Sequence, residues 1–268
     1  MKMIKFSLML APIEDMTSNA FRTVCHRYGA DLTFTEMTRI EGLAKKNENT
    51  WSRIMLKDDT PTAIQLIGQK DVYFKNFLNI FEPEKGFKGF NLNLGCPNPD
   101  AIKLGYGCAM IKRISKVKKI AKIFRDFGYK ISIKTRLGLN KEEKEKGVYL
   151  NLIDAVDADF FIVHARHGSQ SYDEPADFSV YERCVKTGRN IIANGDINTK
   201  EQIEFLKGVG VKGAMIGRAA ISYPAIFNKL KDENCPDIEQ LKKEFIELTE
   251  KYDEPFRYRK NVLKNIGN

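Results

Sequence analysis

The chain is poor in the residues that build metal centres. Its 268 residues hold three histidines, His26, His164 and His167, and five cysteines, Cys25, Cys96, Cys108, Cys184 and Cys235. No C-x-x-C pair occurs, and the His and Cys spacings give no support for zinc, so no metal is expected. An odd number of thinly spread cysteines argues against a disulfide framework and for a reducing, cytoplasmic setting. No apolar run approaches the ~20 residues that span a bilayer, and mean hydropathy is −0.38. No membrane partner is expected. Residues 1–10 combine lysines with a short apolar stretch, but the stretch lacks a small-residue cleavage site and runs into Pro12-Ile13-Glu14-Asp15. It reads as a first strand, not a secretory signal. No G-x-G-x-x-G follows a strand, which counts against an open dinucleotide-binding sheet. Acids are outnumbered, with 35 Asp and Glu against 44 Lys and Arg, a net charge of +9. That balance favours an anionic partner, nucleic acid or a phosphate-bearing ligand, and says nothing about fold.

Against these absences stands a regular pattern. Apolar residues make up 43% of the chain, ample for a packed core. Short apolar runs, read as strands, occupy residues 6–10, 32–37, 62–66, 89–94, 131–135, 160–163, 190–193 and 213–216. Helical periodicity fills the gaps between them, most clearly in Ile114, Val117, Ile120, Ala121, Phe124 and Phe127. Eight strand–helix alternations predict an α/β fold, a parallel sheet closed as a (β/α)8 barrel over residues 1–223. The pattern turns wholly helical after Pro224. Residues 224–268 read as a short helical appendage, with Asp237 capping a helix to about residue 252 and a last helix over 256–266.

Barrel sites form at the carboxyl ends of the strands. Here those ends carry Pro12 and Ile13, Gln65, Asn93 and Cys96, Lys134 and Arg136, His164 and Arg166, Asn194-Gly195-Asp196, and Gly217-Arg218. A solvated lysine explains one such residue, but not the whole set. Loops after the last two strands commonly hold phosphate, glycine lets backbone N–H groups approach the oxygens, and Arg218 adds charge. Gln65 offers a donor and an acceptor to a heterocycle, and Lys134 suits a ring that becomes anionic. The set fits flavin mononucleotide better than a sugar phosphate. After the fourth strand, Asn93-Leu94-Gly95-Cys96-Pro97-Asn98-Pro99 puts a cysteine on a loop that cannot become helix, and Gly105 and Gly107 let the chain fold tightly over it. Cys108 reads as a small packing residue beside Gly107, and His26 and His167 as surface or structural residues.

Eight segments, in order, resemble the tRNA-dihydrouridine synthases. They are Ala11-Pro12-Ile13-Glu14-Asp15-Met16-Thr17; Arg27-Tyr28-Gly29-Ala30-Asp31 with Thr35-Glu36-Met37; Gln65-Leu66-Ile67-Gly68; Asn91-Leu92-Asn93-Leu94-Gly95-Cys96-Pro97 with Gly105-Tyr106-Gly107; Lys134-Thr135-Arg136-Leu137-Gly138; Val163-His164-Ala165-Arg166; Asn194-Gly195-Asp196-Ile197; and Gly217-Arg218-Ala219. The resemblance implies a flavin barrel that reduces the C5=C6 bond of uridines in tRNA, with FMN as cofactor and NADPH or NADH as reductant. It implies that hydride passes from flavin N5 to C6 and that Cys96 gives the proton to C5. A thiol is mostly protonated at neutral pH, as a general acid must be. Pro12, Ile13, Glu14, Gln65, Lys134 and His164 would line the ring system and ribityl chain. Asn194, Gly195, Asp196, Gly217 and Arg218 would hold the phosphate end. Asn93 would meet the target base, and Arg166 the RNA side.

The family carries a longer helical domain after the barrel. Here residues 224–268 stand in its place, and Asn261 replaces the histidine of a late Arg-Lys-His element. Two basic segments are then expected to hold the tRNA backbone at the barrel mouth. One is the run 112–130, with Lys112, Arg113, Lys116, Lys118, Lys119, Lys122, Arg125 and Lys130 against Asp126; the other is the tail, with Arg257, Arg259, Lys260 and Lys264. A solvated helix face is the plainer account of the first run. A dihydroorotate-type FMN dehydrogenase and a non-catalytic RNA-binding barrel are the alternative functions.

Overall fold

A computed structural model describes residues 6–267. Residues 1–5 of the expected first strand lie outside the described residues. Nine strands form one sheet: β1 Ser7–Leu10, β2 Thr33–Phe34, β3 Thr38–Arg39, β4 Thr62–Ile67, β5 Phe87–Leu94, β6 Ile131–Thr135, β7 Phe161–His164, β8 Ile191–Asn194 and β9 Gly213–Ile216. The order is β1-β9-β8-β7-β6-β5-β4, with both β2 and β3 on β4. Every pairing is parallel. The ring closes where Met9 bridges Leu32 and the Leu10 N–H donates to the Leu32 carbonyl at 2.9 Å. The result is a (β/α)8 barrel whose second position is split.

The split departs from the single strand expected over residues 32–37. Glu36 interrupts the ladder. The Thr38 hydroxyl donates to its carbonyl at 3.2 Å, and its carboxylate is buried against Tyr258 of the tail. That partner is more than two hundred residues away, so no local pattern announces the break.

Alternation along each strand sorts the two sides of the barrel wall. Phe90, Leu92 and Leu94 of β5 join the outer core with Ile131 and Ile133 of β6, Phe161 and Val163 of β7, and Ile191 and Ala193 of β8. The helices cover that side, and Ile114–Asp126 seats Val117, Ile120, Ala121 and Phe124 there as its stripe predicts. The alternate residues turn inward. Met9, Ala11, Phe34, Ala63, Ile162, Ile192 and Met215 form a separate apolar cluster inside the barrel. Further along the same inward rows come Gln65, Asn93, Lys134, His164 and Asn194. The polar strand ends therefore sit on an apolar floor.

Three tail helices follow, Ile226–Lys231, Ile238–Lys251 and Phe256–Asn265. Asp237 caps the second, accepting the Gln240 N–H at 2.8 Å. Leu241, Phe245 and Val262 are fully buried in the same core as Phe21 and Val24. The Phe245 ring meets Phe21 edge-on at 6.3 Å. One continuous core thus runs across residue 223. Among the described residues no helix is long and apolar enough to cross a membrane, and no group of three or more His, Cys, Asp or Glu could hold a metal ion.

Candidate active site

An amide ladder crosses the barrel above its apolar floor. Gln65 Nε2 donates to Asn91 Oδ1 at 2.7 Å, and Asn91 Nδ2 donates to Ser132 Oγ at 2.8 Å. Asn93 Nδ2 donates to Gln65 Oε1 at 2.9 Å. The other end of the Asn93 amide accepts the Gly95 and Cys96 N–H groups at 3.0 and 2.9 Å. Two expected ligand-facing residues, Gln65 and Asn93, are thus bonded to each other, and Asn93 fixes the turn that delivers Cys96. The Cys96 carbonyl accepts the Cys108 N–H at 3.0 Å. Gly107 lies between with φ 54°, where a Cβ would come within 2.3 Å of that carbonyl, so only glycine fits.

Two cavities open at this face. The first, about 500 Å3, is lined by Pro12, Ile13, Lys134, His164, Arg166, Asn194, Gly195, Asp196, Gly217 and Arg218, with Tyr172 at its wall. Its electrostatics are one-sided. His164 is held far below the usual imidazole range by burial and by the charges of Lys134, Arg136, Arg166 and Arg218, so it is neutral. Burial and Arg136 push the Lys134 ammonium down to about 8. Among the described residues no carboxylate pairs with it. Asp196 is the one acid of the lining. Burial raises its carboxyl, but the hydrogen bonds from Arg166 and the Ala176 N–H and the charges of Arg166 and Arg218 together outweigh that and hold it below the usual range. Asp196 also accepts Arg218 at 2.5 Å. Gly195, at φ 116°, brings the backbone against His164, whose Cδ2 would lie 3.0 Å from an added Cβ.

The second cavity, about 490 Å3, has Cys96 in its wall with Met37, Thr38, Arg39, Arg53, Asn98 and Tyr106. Cys96 is partly exposed, and the Tyr106 hydroxyl ties its loop to Glu41 at 2.5 Å. The loop after β1 borders both spaces, with Ile13 on the first and Glu14 on the second.

Not every expected placement is met. Arg166, expected to face RNA, is fully buried. It donates to the Glu174 carbonyl and to Asp196, so it belongs to the wall of the first cavity. Glu14, expected with the cofactor residues, lies on the Cys96 side. Cys108 is buried, and burial pushes its thiol up to about 12. Five of the eight cations of the basic run are paired, four of them with acids from elsewhere. Lys112 pairs with Glu143, Lys116 and Lys119 with Asp71, Lys122 with Asp126, and Arg125 with Asp159. Its helix also runs away from the mouth, so Lys122 and Arg125 end near Asp159, ahead of β7 at the opposite face.

Sequence reasoning missed Tyr172. Its ring carries the guanidinium groups of Arg218 at 4.6 Å and of Arg136 and Arg166 at 5.5 Å each, and its hydroxyl accepts from Arg136 at 3.1 Å. A tyrosine in a polar loop gives no periodic signal. Arg39, Arg53 and Tyr106 were given no site role either; Arg39 and Arg53 reach the second cavity only through the fold, and Tyr106 stands in the Gly105-Tyr106-Gly107 segment.

The family model for dihydrouridine synthase (Dus) matches residues 9–264. A protein of Staphylococcus epidermidis described as a probable tRNA-dihydrouridine synthase is 30% identical over 258 residues, covering 91% of this chain and 78% of that protein. One of Helicobacter pylori with the same description is 29% identical over 249 residues, covering 89% and 74%. Among solved structures, morphinone reductase aligns with a TM-score of 0.57 at 11% identity, covering 89% of this chain and 88% of that one. DHODH from Eimeria tenella aligns with 0.57 at 12% identity, covering 84% and 79%. These two likenesses speak for the barrel fold alone. Matched along nearly all its length, the chain belongs to the dihydrouridine synthase family of flavin-dependent oxidoreductases.

Proposed function

We propose that the chain reduces the C5=C6 bond of uridines in tRNA, with FMN as its flavin, NADPH or NADH as reductant and Cys96 as proton donor. The observation that carries this reading is the pairing of two cavities across one loop. One is electropositive and lined by strand ends; the other has a partly exposed cysteine in its wall. The first suits a phosphorylated, electron-accepting ring. Three cations, Lys134, Arg166 and Arg218, line it together with a neutral His164, and the Lys134 ammonium lacks a carboxylate partner among the described residues. Gly195, Asp196, Gly217 and Arg218 would hold the phosphate end, with Arg166 and Asn194 behind them, and Pro12, Ile13 and Lys134 would border the ring. Gln65 and Asn93 would present the amide atoms their ladder leaves available.

A flavin held there by Pro12, Ile13, Lys134 and Arg218 would supply the hydride for C6 of the uracil ring. The chain's own residues do the rest. Lys134 offsets negative charge in the first cavity. Asn93 holds the Cys96 N–H and so fixes the thiol's position. Cys96 gives its proton to C5, completing the saturated bond. The second cavity admits a base that has left its stack, at an unstacking cost of a few kcal/mol which backbone contacts offset. The supporting test uses the purified protein. It should carry flavin absorbance, release FMN on denaturation, and with NADPH form dihydrouridine in unmodified tRNA while leaving free uridine and orotate unchanged. Turnover of orotate in place of tRNA, or protein without flavin, would overturn the reading.

A further inference from the structure

The tail touches the barrel through polar contacts at Arg27, Tyr28, Asp31 and Asp58, and those of Arg257, Tyr258 and Asn261 fall on two short segments that adjoin the walls of the cavities. Glu254, between the last two helices, accepts the Ala20 N–H at 2.9 Å, at the start of the helix Asn19–Arg27. Arg257 pairs with Asp15 at 3.2 Å, and Asn261 Nδ2 donates to the Asp15 carbonyl at 3.4 Å. The Tyr258 hydroxyl donates to Glu36 Oε2 at 2.6 Å, at the break between β2 and β3, and both side chains are buried.

Asp15 has φ 56°. That left-handed conformation disfavours a residue with a Cβ and persists where the surroundings hold it. Arg257 and Asn261 are part of those surroundings. From the loop they grip, Pro12 and Ile13 line the first cavity and Glu14 the second. From the segment that Tyr258 grips, Met37, Thr38 and Arg39 line the second. Both arginines of the last helix are engaged in internal contacts. Arg257 meets Asp15, and Arg259 meets Glu250 at 3.1 Å.

We propose that the carboxy-terminal tail is a positioning clamp, which through Arg257, Tyr258 and Asn261 sets the loop 11–15 and the turn at Glu36, and so the shape of the cavity beside Cys96. The catalytic part rests on the reading that this cavity receives the uracil base. The tail then serves the RNA reaction from within the fold, whatever it contacts outside.

Two variants of the full, flavin-loaded chain test the clamp. Tyr258→Phe removes one hydroxyl, and Arg257→Gln changes a half-exposed side chain and leaves the core intact, so it decides the matter if the first variant folds poorly. Amide hydrogen exchange at residues 13–18 and 35–39 should quicken about tenfold, the value of one charge-assisted hydrogen bond. Exchange in β6, β7 and β8 should stay as it was. In rapid mixing, flavin reduction by NADPH should keep its rate, while reoxidation by tRNA slows about tenfold for the same reason. Unchanged exchange at residues 13–18 and 35–39 in a folded Arg257→Gln overturns the clamp. Equal slowing of both half-reactions overturns it too, because that marks general loosening. If tRNA fails to reoxidise the flavin of the unaltered chain, the proposed function falls, and the exchange result still decides the clamp.

Discussion

Replacing Cys96 by alanine separates chemistry from architecture more cleanly than any other change to this chain. The substitution removes one sulfur atom. The backbone contacts that set the loop stay, namely the Cys96 N–H on Asn93 Oδ1 at 2.9 Å and the Cys108 N–H on the Cys96 carbonyl at 3.0 Å. The side chain packs beside Ile67, Ala101 and Tyr106 from a partly exposed position, so the lost burial costs about 1 kcal/mol or less. A missing general acid slows turnover about 10²–10⁴-fold, which is ~2.7–5.4 kcal/mol of barrier. The chemical effect exceeds the structural one several-fold. Cys96→Ala should therefore fold, bind flavin and accept hydride from NADPH at the normal rate. In a single-turnover experiment, reoxidation of its reduced flavin by tRNA should slow by at least about 10². Cys108→Ala should do the reverse, since that thiol is buried and stays protonated; it should lower stability and spare the rate. Reoxidation of Cys96→Ala at a near-normal rate would refute the proton-donor role.

Two further outcomes follow from charges placed by the fold. Burial and Arg136 depress Lys134 to about 8 from 10.5. Below pH 8 its ammonium is charged and draws the anionic cofactor; above it, binding must take up a proton. FMN affinity, measured by fluorescence titration, should hold below about pH 8 and weaken as pH rises through it. The cofactor-free fold should gain stability over the same rise, because between about 8 and 10.5 the unfolded lysine binds a proton that the folded one lacks. Lys134→Met should abolish both trends, and their persistence in that variant would show that another group titrates. The second outcome concerns the basic helix. Lys122→Gln with Arg125→Gln should leave the tRNA Michaelis constant and its salt slope unchanged, because both side chains are paired at the far face of the barrel. A flatter salt slope in that double variant would place the RNA on the far face.

Much of this protein was legible in one dimension. The outer row of each strand is apolar and the inner row turns polar at its carboxyl end, as in Phe90-Asn91-Leu92-Asn93-Leu94 and Ile131-Ser132-Ile133-Lys134. Period-two alternation is a local property, so the barrel, its strand ends and the loop cysteine can all be read from neighbouring residues. Ionic partnership is not local. Eight basic residues against one acid looked like a bare positive face until the fold set Asp71, Glu143 and Asp159 beside them. Arg166 looked outward-facing until Glu174 and Asp196 closed round it, and Tyr172 became part of a cavity only when three guanidinium groups converged on its ring. At the break, Glu36 meets Tyr258 of the tail. Periodicity determines which elements form and which way their side chains point. Only the closed chain decides which charges meet, because those pairs are made between residues that share no sequence neighbourhood.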